Sequence, residues 1–152
     1  MKKIIETTQI NCSLDELFEF HLDSQNITKI TPSNTKVELL SEDTPAFEGK
    51  IVKLKTTRIF IPIIWEVRIE KLEKPNILVD LSIKSPFKHW KHQHVFTQKG
   101  NQCELQDIIE FELPFGMLGK IIEPLLTFDI KKMFKYRHKK TKEILENKKI
   151  NI

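Results

Sequence analysis

The spacing of apolar residues changes twice along this chain, and each change predicts a different kind of element. Residues 3–10 suit a first strand, which Asn11-Cys12-Ser13 interrupts. Ser13, with Glu16 three residues on, predicts a capping box. The helix it opens, residues 14–22, puts Leu14, Leu17 and Phe18 on one face with His21 and Leu22 at its border. Residues 24–30 suit a second short helix, ended at Thr31-Pro32 because a residue before proline avoids the α region. From Lys36 to Leu113 the period drops to two, and strands are predicted at 37–40, 49–58, 65–70, 77–83, 87–97 and 102–113. The alternation is cleanest where Trp65, Val67 and Ile69 interleave with Glu66, Arg68 and Glu70. Residues 59–63, with Pro62 among them, Lys74-Pro75-Asn76, Ser85-Pro86 and Lys99-Gly100-Asn101 supply the turns. After Leu113-Pro114-Phe115-Gly116 the helical period returns over 118–147. There Ile121, Ile122, Leu125, Leu126, Phe128, Ile130, Met133, Phe134, Arg137, Ile144 and Leu145 trace a mostly apolar side.

Strand following strand through short turns means an antiparallel meander, and such a sheet needs one face covered. The last helix is the expected cover. The fold class is therefore α+β: a curved antiparallel sheet of six to seven strands wrapped on a long C-terminal helix, with two short helices after strand 1. One domain is expected over residues 1–152. Pro124 removes a helical hydrogen bond, so the long helix is expected to begin near it or to bend there.

Composition narrows the class. The chain has 152 residues, 39% hydrophobic and 30% charged, a balance that argues against disorder as the main state. No run approaches the ~20 apolar residues of a membrane span. Glu6, Thr7, Thr8 and Gln9 arrive before any signal-peptide core forms, so a cytoplasmic protein without stable membrane insertion is expected. Cys12 and Cys103 are isolated thiols without metal-ligand spacing. The net charge of +4 is concentrated in residues 131–140. Base-stacking aromatics and nucleic-acid motifs do not accompany it, so it reads as the solvated face of the helix, with no nucleic-acid partner.

The hairpin of residues 87–113 carries the candidate chemistry. A loop at Lys99-Gly100 would set Phe96 opposite Cys103, His94 opposite Leu105, His92 opposite Asp107 and Trp90 opposite Ile109. One face then holds Trp90, Phe96, Cys103, Leu105, Ile109, Phe111 and Leu113, while Lys91, Gln93, Glu104, Gln106 and Glu110 take the other. His92, His94 and Asp107 fall on the apolar face, where polar groups need partners, and a His92–Asp107 hydrogen bond would satisfy both. His89 falls outside, and His21 and His138 are expected at helix surfaces or interfaces. No third ligand for a metal at His92 and His94 is visible on the helix, so no metal or other cofactor is expected.

The segment from Ser85-Pro86-Phe87 through Trp90-Lys91-His92-Gln93-His94-Val95-Phe96, then Leu113-Pro114-Phe115-Gly116 and Tyr136-Arg137-His138, resembles a bacterial ligand-binding subgroup of the START-like, or Bet v 1-like, helix-grip superfamily. Ser85 stands where that subgroup has glycine. The resemblance implies a cavity for a small apolar molecule such as a lipid, isoprenoid or polyketide-like compound, and it would turn Leu78, Asp80 and Ser82 into that cavity. The alternation of Val79, Leu81 and Ile83 would turn the opposite set inward. In the first case Arg58 and Asp80 could meet as an ion pair. The candidate wall is thus Arg58, Asp80, Trp90, His92, His94, Phe96, Leu105, Asp107, Ile109, Phe111 and Met133. Three functions follow: a non-catalytic binder, a cyclase or dehydratase using His92, His94 and Asp107 as acid and base, or an interaction module using the basic helix. An internal cavity favours the first two and a solid core the third. Self-association is left open.

Overall fold

The computed structural model describes residues 1–148, so the last four residues of the expected 1–152 unit lie outside the described residues. The elements run β1 (Lys2–Ile10), α1 (Leu14–Leu22), α2 (Asn26–Ile30), β2 (Lys36–Leu39), β3 (Ile51–Arg58), β4 (Ile61–Glu73), β5 (Ile77–Lys84), β6 (His89–Lys99), β7 (Gln102–Glu112) and α3 (Gly116–Asn147). The seven strands form one antiparallel sheet in the order β1-β7-β6-β5-β4-β3-β2. It curls around α3, which packs chiefly on β1 and α2. This is the α+β helix-grip architecture.

Local chemistry explains the boundaries. The Ser13 hydroxyl accepts from the Glu16 N–H at 3.1 Å and the Glu16 carboxylate accepts from the Ser13 N–H at 2.8 Å, closing the expected capping box. The turn expected over residues 59–63 shrinks to its first two residues. Ile59 and Phe60 both take left-handed φ, 51° and 63°, which lets β4 start at Ile61 and run through Pro62. The long helix neither begins at Pro124 nor breaks there. It starts eight residues earlier at Gly116, in a left-handed turn shared with Phe115. Gly119 lies so close to the end of β7 that a Cβ there would collide with the Pro114 carbonyl oxygen.

The covered stripe of α3 is Gly119, Thr127, Ile130, Phe134, His138, Thr141 and Leu145. Ile121, Leu125 and Phe128, expected on the covering side, are instead 73%, 71% and 67% exposed. The first half of α3 carries two apolar stripes, and only one of them can face the sheet. Two buried clusters pack against the middle and the end of the helix. One joins Ile10, Leu17, Phe18, Phe96, Leu105 and Leu145, and the other joins Ile4, Trp90, Ile109, Phe111, Ile130 and Phe134. The solvated face expected over residues 131–140 holds for Lys131, Lys132, Lys135 and Lys139, which are exposed, and for Lys140, which pairs with Glu143 on its own helix, whereas Arg137 and His138 turn inward. Among the described residues no helix is long and apolar enough to cross a membrane.

Candidate functional site

The site grows from the alternation in β6 and β7. Trp90, His92, His94 and Phe96 are buried while Lys91, Gln93 and Val95 between them are not, and Cys103, Leu105, Asp107, Ile109 and Phe111 repeat the pattern. The inward set is the expected one, but the pairing differs. The loop is Gly100-Asn101 rather than Lys99-Gly100, with positive φ at Gly100 alone. Moving the loop by one residue shifts every partner by two, which preserves the faces. His94 therefore lies opposite Asp107, and His92 opposite Ile109.

Asp107 gathers three imidazoles. His138 Nε2 lies 3.0 Å from Oδ2, His94 Nδ1 2.7 Å from Oδ1 and His92 Nε2 3.3 Å from Oδ1. The last two contacts are ion-pair approaches off the N–H axis, so His92 Nε2, His94 Nδ1 and Asp107 Oδ1 have no aligned hydrogen bond. His138 is 2% exposed, and its Nδ1 meets the Thr8 hydroxyl at 2.9 Å. The His21 ring packs 4.9 Å from His94 and 5.0 Å from Phe96. Both helix histidines are thus turned inward. His138 was legible in principle, since Ile130, Phe134, His138, Thr141 and Leu145 continue one stripe at helical spacing.

The protonation of the cluster diverges. Burial would depress His94, but the charge and contact of Asp107, helped by Asp80, outweigh it and raise its pKa to about 9. Burial and then the charge of His94 lower His92. Burial, with His94 second, takes His21 down to about 3. Burial works to raise Asp107, yet His94, His92 and the His138 hydrogen bond hold it well below the usual carboxylate range. Arg137 is pushed down to about 10 by burial, with Asp107 partly opposing.

On β5 the choice falls to Leu78, Asp80 and Ser82. Asp80 pairs directly with His92 and with Ile69, and directly paired residues share a face. Val79 still ends up buried on the outer face, at 4% exposure. Glu70 is an extra residue in β4 at this point, where Ile69 pairs with Asp80 and Lys71 with Val79. Asp80 Oδ2 lies 3.7 Å from His94 Nε2. Arg58 does not reach Asp80. It grips Asp129 of α3 with both guanidinium nitrogens, Nη2 to Oδ1 at 3.0 Å, and so ties the β3–β4 hairpin to the helix at an exposed rim.

Beside the polar cluster stands an aromatic wall that the sequence reading included only in part. Phe87 packs on Trp90 at 4.8 Å, on Phe111 at 5.6 Å and on Trp65 at 5.8 Å. Trp90 and Phe111 are buried, whereas Trp65 and Phe87 stay half-buried alongside Met133 and Leu113. Phe96, Leu105 and Ile109 belong to the packed clusters. Ser82 Oγ and Arg137 Nε are buried without hydrogen-bond partners. Two concavities of the described residues lie elsewhere than in the expected place between helix and sheet. One, about 370 Å³, is on the convex face between Glu70, Val79, Lys91 and Gln93, and the other, about 270 Å³, lies between α1 and the end of α3.

A curled seven-stranded sheet, a long gripping helix and an inward polar cluster give this chain the START-like, Bet v 1-like fold. A Chromobacterium violaceum protein of known structure superposes with a TM-score of 0.74 at 11% identity, covering 95% of this chain and 96% of that one. A START superfamily protein from Mycobacterium smegmatis gives 0.68 at 11%, covering 95% and 97%. Major latex-like protein 151 from Panax ginseng gives 0.68 at 14%, covering 95% and 97%. The sequence matches no family model and no curated protein.

Proposed function

We propose that this protein binds a small, largely apolar molecule bearing a polar group, held between the concave face of the sheet and the first half of α3. The carrying observation is the aromatic wall. Trp65 and Phe87 remain half-covered, and the wall runs through Trp90 directly into His92, His94 and Asp80. An apolar ligand covers such a surface, while its polar end satisfies buried groups such as Ser82 Oγ and Arg137 Nε. The space under the second half of α3 is packed, so access is assigned to the rim closed by Arg58 and Asp129. Exposed Ile121 and Leu125 on α3 and Ile61 on the hairpin flank that rim. In this role the chain acts as one cytoplasmic domain.

The chain has two tryptophans, Trp65 and Trp90, and both belong to the wall, so binding has an intrinsic reporter. Titration with 1-anilinonaphthalene-8-sulfonate, and with fatty acids, isoprenoid alcohols and phenolic polyketide-like compounds as competitors, should change tryptophan emission saturably. A Phe87→Ser variant should weaken that response. Emission that never saturates, or is indifferent to Phe87→Ser in a folded variant, removes the proposal.

A second reading, acid–base catalysis on such a ligand, draws support from neighbouring imidazoles whose pKa values move in opposite directions, His94 up and His92 down. Turnover lost in a folded His92→Ala variant, with ligand binding retained, would select it.

A further inference from the structure

We propose that Asp80, His92 and His94 form a three-ligand site for a borderline divalent metal ion such as zinc, with Asp107 holding both imidazoles from behind. Such a site does not require that the aromatic wall bind an apolar molecule. One potential ligand atom from each of the three residues lies within 4.8 Å of the other two. Tetrahedral zinc with bonds of about 2.0–2.1 Å needs ligand atoms roughly 3.4 Å apart. His94 Nε2 and Asp80 Oδ2, at 3.7 Å, are already near that spacing.

The backbone sets these positions. His92 and His94 occupy alternate positions of β6 and so share a face, and Asp80 is the direct cross-strand partner of His92. All three stand on paired strands of one sheet, the rigid support that a metal site requires. The β4 bulge at Glu70 adjoins Asp80, and bulges of this kind re-aim neighbouring side chains. The third ligand stands on the neighbouring strand rather than on the helix, where the sequence shows none.

Asp107 adds the outer layer. Its Oδ1 approaches Nδ1 of His94 and Nε2 of His92, the nitrogen of each ring that would not bind metal. That leaves Nε2 of His94 and, by elimination, Nδ1 of His92 for the ion. A carboxylate that accepts the second N–H of a ligating imidazole fixes its tautomer and raises its basicity, and Asp107 Oδ1 lies close enough to take that part once the rings align on an ion. His138 in turn holds the other oxygen of Asp107. A divalent ion would be offset by the carboxylates of Asp80 and Asp107 with both imidazoles neutral, and the buried Arg137 guanidinium adds one positive charge near Asp107. Two nitrogens and one oxygen suit zinc or cobalt better than magnesium or calcium, which prefer all-oxygen shells. Three protein ligands leave a further coordination position for water or a ligand's polar group.

The test uses the untagged full chain, treated with chelator and titrated with Co²⁺, then displaced with Zn²⁺. One equivalent of Co²⁺ should bind with the visible absorption of a four- or five-coordinate site, and Zn²⁺ should bleach it. Asp80→Asn should weaken binding at least about tenfold, and His92→Gln should abolish the absorption. Asp107→Asn should weaken binding about 10–100-fold without removing a ligand. Asp80 is half-buried, so Asp80→Asn tests the site even where the buried histidine variants fail to fold. The absence of one-equivalent binding overturns the proposal. So does binding that a folded Asp80→Asn variant retains in full, because the ion then sits elsewhere.

Discussion

Asp107 on β7 and His138 on α3 meet at 3.0 Å in the buried interior and join the curled sheet to the helix it grips. The same carboxylate lies close to His94 and His92, so one side chain touches all three imidazoles, with Asp80 a second acid beside His94. Replacing it with alanine strips three imidazoles of their anion. Asp107→Ala should cost about 3–5 kcal/mol, the usual loss when one member of a buried ionic group is removed. Asp107→Asn keeps an acceptor and should cost less. Urea denaturation of both variants measures the difference, and a loss under about 1 kcal/mol for alanine would mean that the cluster is not ionic.

Stability of chelator-treated protein should peak near neutral pH. His21 is held neutral with a pKa of about 3, so its contribution is complete above its unfolded value of about 6.5 and fades as pH falls toward 3. Asp107, held below the usual carboxylate range, adds to the acid limb beneath about pH 4. His94 works the other way. Its pKa of about 9 makes a contribution that is complete below about 6.5 and is lost as pH rises through 9. Melting curves from pH 4 to 10 should therefore fall on both sides. In His94→Gln the alkaline decline between about 6.5 and 9 should disappear while the acid decline persists. An unchanged alkaline limb would assign it to another group.

The Arg58–Asp129 pair should govern access rather than stability. Its side chains are 46% and 39% exposed, and surface pairs of this kind contribute under about 1 kcal/mol. Arg58→Ala should leave the melting temperature nearly unchanged. It should raise the association rate of 1-anilinonaphthalene-8-sulfonate by up to about tenfold in stopped-flow fluorescence. An unaltered rate would place the access route elsewhere.

The tip of the β3–β4 hairpin is built against its own residue preferences. Ile59 and Phe60 hold left-handed φ, and Phe60 is 97% exposed. Left-handed backbone costs an L-residue roughly 1–2 kcal/mol, and Asn-Gly suits a two-residue turn with both φ positive. Replacing Ile59-Phe60 by Asn-Gly should therefore stabilise the protein by about 1–2 kcal/mol in denaturant titrations. No gain would mean that contacts of these two side chains offset the backbone cost.

Much of this architecture is legible from residue order. A period of two leaves only two faces per strand, so Trp90, His92, His94, Phe96, Leu105 and Asp107 share the inward face with the loop at Gly100-Asn101 just as they would with it at Lys99-Gly100. The capping box at Ser13 and Glu16 is equally local. Other features required the folded chain. On β5, Asp80 faces inward although its neighbours Val79 and Leu81 are the more apolar set, because pairing with His92 fixes its side. Arg58 finds its acid 71 residues away on α3, beyond the reach of any local pattern. His138 reaches Asp107 because the rotation of α3 about its axis selects one of two apolar stripes. Alternation along a strand is a local steric property, readable in the sequence. The rotation of a helix and the partner of a charge are set by packing between distant segments, and only the tertiary structure decides them.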